Sequence, residues 1–445
     1  MNQPSVNPAA NPAANPSASL DSNAGSHADS GASCPHAGLA RRGFLRGAAM
    51  GAASAAVLGG AGAAAAAAVE AGPGPSGRQI PFAGAHQAGV LTPAQAQASF
   101  VSFNAIAPDR AALAELFQTL TDRIRFLTAG GEPAATDVAS TPTDSDTLGP
   151  IVPSDGLTVT VSVGASLFDD RYGLSSRKPA ELIQMPVFPD DDMADSTELH
   201  GDICLQICAD SRDTVMHALR DIAKHTRSGM QAAWKVDGFH ADPRPSGTPR
   251  NQLGFKDGIA NPDTTDPSIA NTLIWTRGAA SGEPAWAEGG SYQVVRIIRM
   301  LVEFWDRVSI LEQETMFGRR RDTGAPLDGT VESDIPDYAA DPLGLTIPLD
   351  AHIRLANPRT PATADQQILR RGYNYDRGLD LDGNLDVGLV FCCYQQNITR
   401  QFLAVQTRLA GEPLVDYIEP TGGGYFYVLP GVQNPGDHLA SALLA

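Results

Sequence analysis

Asp257 sits in Gly254-Phe255-Lys256-Asp257-Gly258, His352 follows 95 positions later, and Arg370 another 18 beyond it. A carboxylate in a glycine-flanked loop, an isolated imidazole and a guanidinium can share one reaction between two faces of a metal. The imidazole can ligate iron and leave the opposite position open. The carboxylate can carry a proton from one oxygen atom to another, and the guanidinium can stabilise the charge that develops there. Together the three could reduce a peroxide at the metal. Each residue also has an ordinary reading: Asp257 before Gly258 is a common turn pair, Arg370 could be a surface ion-pair partner, and most histidines fill cores or surfaces. Arg371 competes with Arg370 for the same role.

The surrounding blocks weigh against the ordinary readings. They run Asn251-Gln252-Leu253-Gly254-Phe255-Lys256-Asp257-Gly258-Ile259-Ala260-Asn261-Pro262, then Ala351-His352-Ile353-Arg354-Leu355-Ala356-Asn357-Pro358-Arg359, then Ile368-Leu369-Arg370-Arg371-Gly372-Tyr373-Asn374-Tyr375. In order and spacing they resemble the dye-decolourising (DyP-type) peroxidase family, in particular its exported branch associated with bacterial iron uptake. Shorter likenesses at Pro81–Gly89, His200-Gly201-Asp202 and Gln401-Phe402 extend the resemblance over most of the chain after its leader.

The resemblance implies one haem b per chain, with His352 as the iron ligand and Asp257 and Arg370 as the catalytic pair on the peroxide side. Gly258, Ile259, Ala260, Asn357, Pro358, Arg359 and Arg370 would lie against the cofactor, Arg359 as a carboxylate partner. Hydrogen peroxide would be reduced through a ferryl intermediate, and an aromatic or ferrous donor oxidised. The alternative is a deferrochelatase that releases iron from intact porphyrin. Iron-uptake permease components and a homodimeric partner belong to the same expectation. A proximal imidazole needs an acceptor for its second N–H. The matching segment, Val390 to Asn397, supplies Asn397, and Asp386 is its rival. Gly372 stands where some relatives carry a distal asparagine.

Composition narrows the rest. Residues 1–36 are Asn, Pro, Ala, Ser and Gly, too poor in apolar side chains to offset ordering entropy. Arg41-Arg42-Gly43-Phe44-Leu45-Arg46 opens an Ala- and Gly-rich run, and residues 37–72 have the layout of a twin-arginine export signal. A membrane anchor is the other reading, although alanine and glycine bury little apolar area. Export and a soluble periplasmic life after signal removal are expected. A formal net charge of −18, from 32 Lys and Arg against 50 Asp and Glu, excludes a nucleic-acid partner. Cys204, Cys208, Cys392 and Cys393 sit among apolar neighbours and read as buried thiols.

Periodicity then supplies the elements that must position these residues. Asp109 to Thr128 places Leu113, Leu116, Phe117, Leu120, Ile124 and Leu127 on one helical face. Thr158–Val163 and Asp202–Cys208 read as strands, and a helix through Val215, Leu219 and Ile222 follows, capped by Asp210 or Ser211. Later come a strand at Tyr292–Met300, a helix at Glu303–Phe317, and strands at Gly388–Tyr394 and Tyr425–Leu429. There is no βαβ alternation, so the class is α+β with antiparallel sheets faced by helices. Family resemblance sharpens this to two ferredoxin-like units, at 80–245 and 285–440, joined by a motif-bearing connector at 246–284, with the haem pocket mainly in the second. Trp275, Trp286 and Trp305 could relay electrons but read as core filling.

Overall fold

The computed structural model describes residues 77–445. The leader and export-signal segments, 1–36 and 37–72, lie outside the described residues.

The first sheet is built from strands β1 (Gln97–Ala105), β2 (Thr158–Gly164), β3 (Ile203–Ala209) and β4 (Met230–Phe239), with helix α1 (Arg110–Ala129) after β1 and α2 (Arg212–Thr226) after β3. Asp109 starts α1 by accepting a hydrogen bond from the Ala112 N–H at 2.9 Å. The six apolar residues picked out by their spacing are all buried. At α2, Ser211 holds the N-cap position but makes no side-chain cap bond, and Asp210 turns instead to Arg78. The strands pair antiparallel in the order β2-β3-β1-β4, and both helices pack on one face. That is the ferredoxin-like arrangement.

The second sheet repeats it. Strand β5 (Ser291–Met300) is followed by helices, then by β6 (Leu369–Arg370), β7 (Tyr373–Leu379), β8 (Leu385–Gln395) and β9 (Ile418–Val428). The order is β7-β8-β5-β9, again antiparallel, with β6 and β7 end to end along one edge of β8. Where one helix was expected at Glu303–Phe317 there are two, Val302–Trp305 and Ile310–Phe317. The break falls at Ser309, whose hydroxyl accepts from the Glu312 N–H at 3.2 Å and caps the second piece.

Edge pairing joins the two sheets. β2 meets β9 at Ser162↔Val428, and β4 meets β7 at Phe239↔Asn374. With the β5–β8 pairing, eight strands close on themselves around an interior of Phe100, Trp234, Tyr373, Tyr394 and Phe426. Closure leaves those strands no open edge. Cys204, Cys208, Cys392 and Cys393 are free and buried, as their neighbours implied. Among the described residues no helix is long and apolar enough to cross a membrane.

Candidate active site

The loop before the second sheet is shaped by its own side chains. Asn251 Oδ1 accepts from the Leu253 and Phe255 N–H groups at 3.1 and 3.2 Å, and Gly254 takes a left-handed φ of 83° that a side chain would oppose. Phe255 is thereby driven inward, where it stacks on Phe317 at 3.9 Å between ring centroids. Asp257 follows two residues later. Lys256 is held by Glu332 and by the Ser246 carbonyl.

Arg370 meets Asp257 directly, Nη1 to Oδ1 at 2.8 Å. Its backbone is clasped by Asn261, which donates to the Arg370 carbonyl at 2.8 Å and accepts from the Arg370 N–H at 2.9 Å. Arg371 takes a different course. Its buried guanidinium binds the Thr92 carbonyl and Gln95, which leaves Arg370 as the guanidinium paired with Asp257.

His352 opens a short helix, His352–Ala356. Arg354 fixes that helix through the Ile347 and Asp341 carbonyls, both at 2.8 Å. The acceptor for the ring is neither Asn397 nor Asp386. It is Glu412, whose two oxygens take the Nδ1–H at 3.0 and 2.8 Å. Asn397 instead caps the Arg400 N–H at 2.7 Å, and Asp386 accepts from the Tyr375 hydroxyl at 3.3 Å. Asp386 lies in β8 and Asn397 just beyond it, whereas Glu412 comes from the turn after Gly411. Burial alone would lower the imidazole's proton affinity, but the charge and hydrogen bond of Glu412 outweigh it and hold it above the ordinary value. With Nδ1–H committed to the carboxylate, Nε2 keeps its lone pair for a metal.

One cavity brings these groups together. His352 and Glu412 line it, as do Asp257, Arg370, Ile259, Ala260, Asn357 and Arg359, against apolar walls that include Leu253, Met300, Phe317, Phe391 and Leu414. Gly258 and Pro358 are not part of that wall. Gly258 borders a second cavity behind Asp257, and its φ of 91° shows why glycine stands there. Two further groups face the main cavity that the motifs did not reveal. Arg319 donates to the Gly324 and Glu332 carbonyls at 2.7 and 3.1 Å. Burial holds its guanidinium below the ordinary value, and the charges of Arg359 and Arg370 add to that. Burial also pushes the Tyr338 hydroxyl up to about 12. Among the described residues neither Arg319 nor Arg359 forms a salt bridge with a protein carboxylate. Arg359 holds a left-handed φ of 55°, steadied by Asn357 Oδ1 at 3.2 Å from its N–H.

The tryptophans pack as filling. Trp305 is buried against Phe255 and donates to the Leu253 carbonyl at 2.9 Å, while Trp275 stacks on His86 at 3.8 Å. Gly372 offers its carbonyl to His240 at 2.7 Å.

Residues 87–240 match the family profile "Dyp-type peroxidase, N-terminal", and residues 248–433 match "Dyp-type peroxidase, C-terminal". The chain belongs to the Dyp-type peroxidase family. It is therefore an oxidoreductase acting on peroxide, as its motifs implied. The Deferrochelatase of Yersinia pestis bv. Antiqua (strain Nepal516) is 52% identical over 368 residues, 82% of this chain and 84% of that protein. The Deferrochelatase of Escherichia coli O6:K15:H31 (strain 536 / UPEC) is 51% identical over 369 residues, 82% and 87% of the two chains. Among solved structures, the DyP-type peroxidase from Cellulomonas bogoriensis superposes with a TM-score of 0.74 at 36% identity, covering 84% of this chain and 99% of its own. Ferric DtpA from Streptomyces lividans gives a TM-score of 0.74 at 34% identity, over 83% and 98%.

Proposed function

We propose that this peroxidase holds one haem b per chain in the cavity between His352 and the Asp257–Arg370 pair, and that it reduces hydrogen peroxide at the expense of an aromatic or ferrous donor. The observation that carries this is one apolar-walled cavity with a carboxylate-backed imidazole and a carboxylate–guanidinium pair on its wall. Arg319 and Arg359, which form no salt bridge with a carboxylate among the described residues, suit the two propionates of a porphyrin. The iron would supply the electron-transfer chemistry.

The chain's own groups do the rest. Glu412 fixes the ring of His352 and increases its basicity. Asp257 takes a proton from one peroxide oxygen and returns it to the other. Arg370 stabilises the charge exposed as the oxygen–oxygen bond lengthens. Ile259, Ala260 and Asn357 shape the wall against the porphyrin, and Gly258 gives the turn that brings them there. Pro358, its φ restrained by its ring, precedes Arg359.

A second reading is favoured by the name Deferrochelatase on the curated relatives: the same pocket would release iron from intact porphyrin. One preparation separates the two. The haem-loaded protein is followed by absorption before and after one equivalent of hydrogen peroxide, and a parallel anaerobic sample without peroxide is analysed for metal-free protoporphyrin. A rapid, reversible spectral change with donor turnover supports the peroxidase. Simple bleaching, with metal-free porphyrin in the anaerobic sample, supports iron release.

The twin-arginine segment supports export of the folded protein to the periplasm and a link to iron uptake with permease components. A homodimer is the proposed assembly.

A further inference from the structure

A second cavity lies behind the Asp257–Arg370 pair. Asp257, Arg370, Asn251, Leu389 and Phe391 line both cavities, so the ion pair is part of the partition between them. On its far side the second cavity reaches the surface at Pro93 and Ala94, which are exposed. The titratable ring on its wall is His240, at the end of β4.

His240 is placed with care. Its backbone N–H binds the Ala96 carbonyl at 2.9 Å, and its ring lies against Tyr373 at 4.4 Å between centroids. Its Nε2 donates to the Gly372 carbonyl at 2.7 Å, two residues beyond Arg370. That bond leaves Nδ1 as a free acceptor in the neutral ring. The charged or titratable groups around it are Tyr373 and Arg371 alongside, and Arg250, Arg370 and Asp257 on the cavity wall.

Chemistry gives this cavity a use. Converting one hydrogen peroxide into two waters takes up two electrons and two protons. The donor supplies the electrons, but a ferrous donor brings no protons, so both must arrive from solvent. Asp257 returns the proton it borrows from peroxide, so the two protons taken up with the donor's electrons must come to the site from solvent.

We propose that the second cavity is the solvent route by which protons reach Asp257, and that His240 is the group that exchanges them there. The role is one of supply: His240 touches neither peroxide nor cofactor. Burial, with Arg371 beside it, holds its ring below the ordinary value against the opposing Gly372 bond and the smaller pull of Asp257, so the ring is neutral and Nδ1 can accept a proton. The inference rests on the proton-carrying role assigned to Asp257.

Two measurements test it. The first needs no cofactor: the titration of His240 is followed by NMR of the histidine ring in the wild type and in Asp257→Asn, with His240→Gln identifying the resonance. Coupling through the cavity predicts a lower midpoint in Asp257→Asn, and identical midpoints overturn the proposal. The second uses the haem-loaded enzyme. Glutamine can keep the hydrogen bond to Gly372 but cannot titrate. His240→Gln is expected to slow steady-state turnover with a ferrous donor roughly tenfold, less than loss of a direct proton carrier, and to change its pH profile and solvent deuterium isotope effect. The Soret position and thermal midpoint should stay at wild-type values. A His240→Gln profile that superimposes on the wild type, or a rate loss with an unaltered pH profile and isotope effect, would show that the ring only positions the strand. If Asp257→Asn retains full peroxide reactivity, the underlying assignment of Asp257 fails instead, whatever His240 does.

Discussion

Glu412 embraces the Nδ1–H of His352 with both carboxylate oxygens, at 3.0 and 2.8 Å, although 60 residues separate them in sequence. An anion there stabilises a more positive metal on the other ring nitrogen. In Glu412→Gln the iron potential of the haem-loaded protein should therefore rise, and metal-site affinity or activity should fall about 10- to 100-fold. Spectroelectrochemical titration checks the first part. An unchanged potential would mean that the carboxylate only orients the ring.

Asp257 and Arg370 are bonded to one another, so removing either disturbs both. Asp257→Asn should reduce the rate of the first spectral change after mixing with peroxide by roughly 10²- to 10⁴-fold. Arg370→Leu should cost about 10²- to 10³-fold. Because the two act as a unit, the double variant should lose much less than the product of the single losses. Stopped-flow absorption on all three gives the comparison, and strict multiplicativity would count against a shared step.

Arg319 and Arg359 face the cavity without a salt-bridge partner among the described carboxylates. Arg319→Ala and Arg359→Ala should each shed haem faster to an acceptor such as apomyoglobin. Loss of a charged hydrogen bond worth about 1.5–3 kcal/mol corresponds to roughly 10- to 150-fold weaker retention. Equal retention in wild type and both variants would place the propionates elsewhere.

His200 supplies a pH dependence of stability away from the site. Burial lowers its pKa from the ordinary 6.5. Between the folded and unfolded values the unfolded chain binds more protons, so stability rises with pH across that interval. This contribution should be complete above about pH 6.5 and be lost as pH falls through the folded value. His200 has a φ of 58°, which asparagine tolerates, so His200→Asn removes the titration without new backbone strain. The acidic slope of the thermal midpoint should flatten in that variant, and an unchanged slope would assign it to other groups.

The legible parts of the molecule were those with local grammar. The apolar face of α1 repeats with helical spacing, β2 alternates residue by residue, and the motif loop carries its own turn chemistry. Other elements offered less. β1 is buried nearly throughout, with Ser99 and Ser102 inside, so no alternation marks it. In β4 the inward position Gly238 has no side chain because Tyr373 Cβ would lie only 2.6 Å from an added Cβ. The split at Ser309 did have a signal, a serine three residues before Glu312, which the longer apolar periodicity concealed.

The same distinction explains the site. Asp257, His352 and Arg370 stand in recognisable blocks, whereas Glu412 is one carboxylate after a glycine, chosen by packing across the fold. Arg319 belongs to a run of three arginines, and their sequence does not say which is turned inward. Only the buried contacts to Gly324 and Glu332 distinguish it.

The ring of eight strands also imposes an order of assembly. β9 pairs on one side with β2 and on the other with β5, through Val428 opposite both Ser162 and Ser291. The partner of His352 arrives at position 412, just before that strand. During synthesis, then, the imidazole's carboxylate emerges from the ribosome after His352, Asp257 and Arg370. These long-separation pairings make folding slow relative to local helix formation. A nascent chain that stops short of β9 can carry His352, Asp257 and Arg370 and still have no finished chamber to hold a ligand between them.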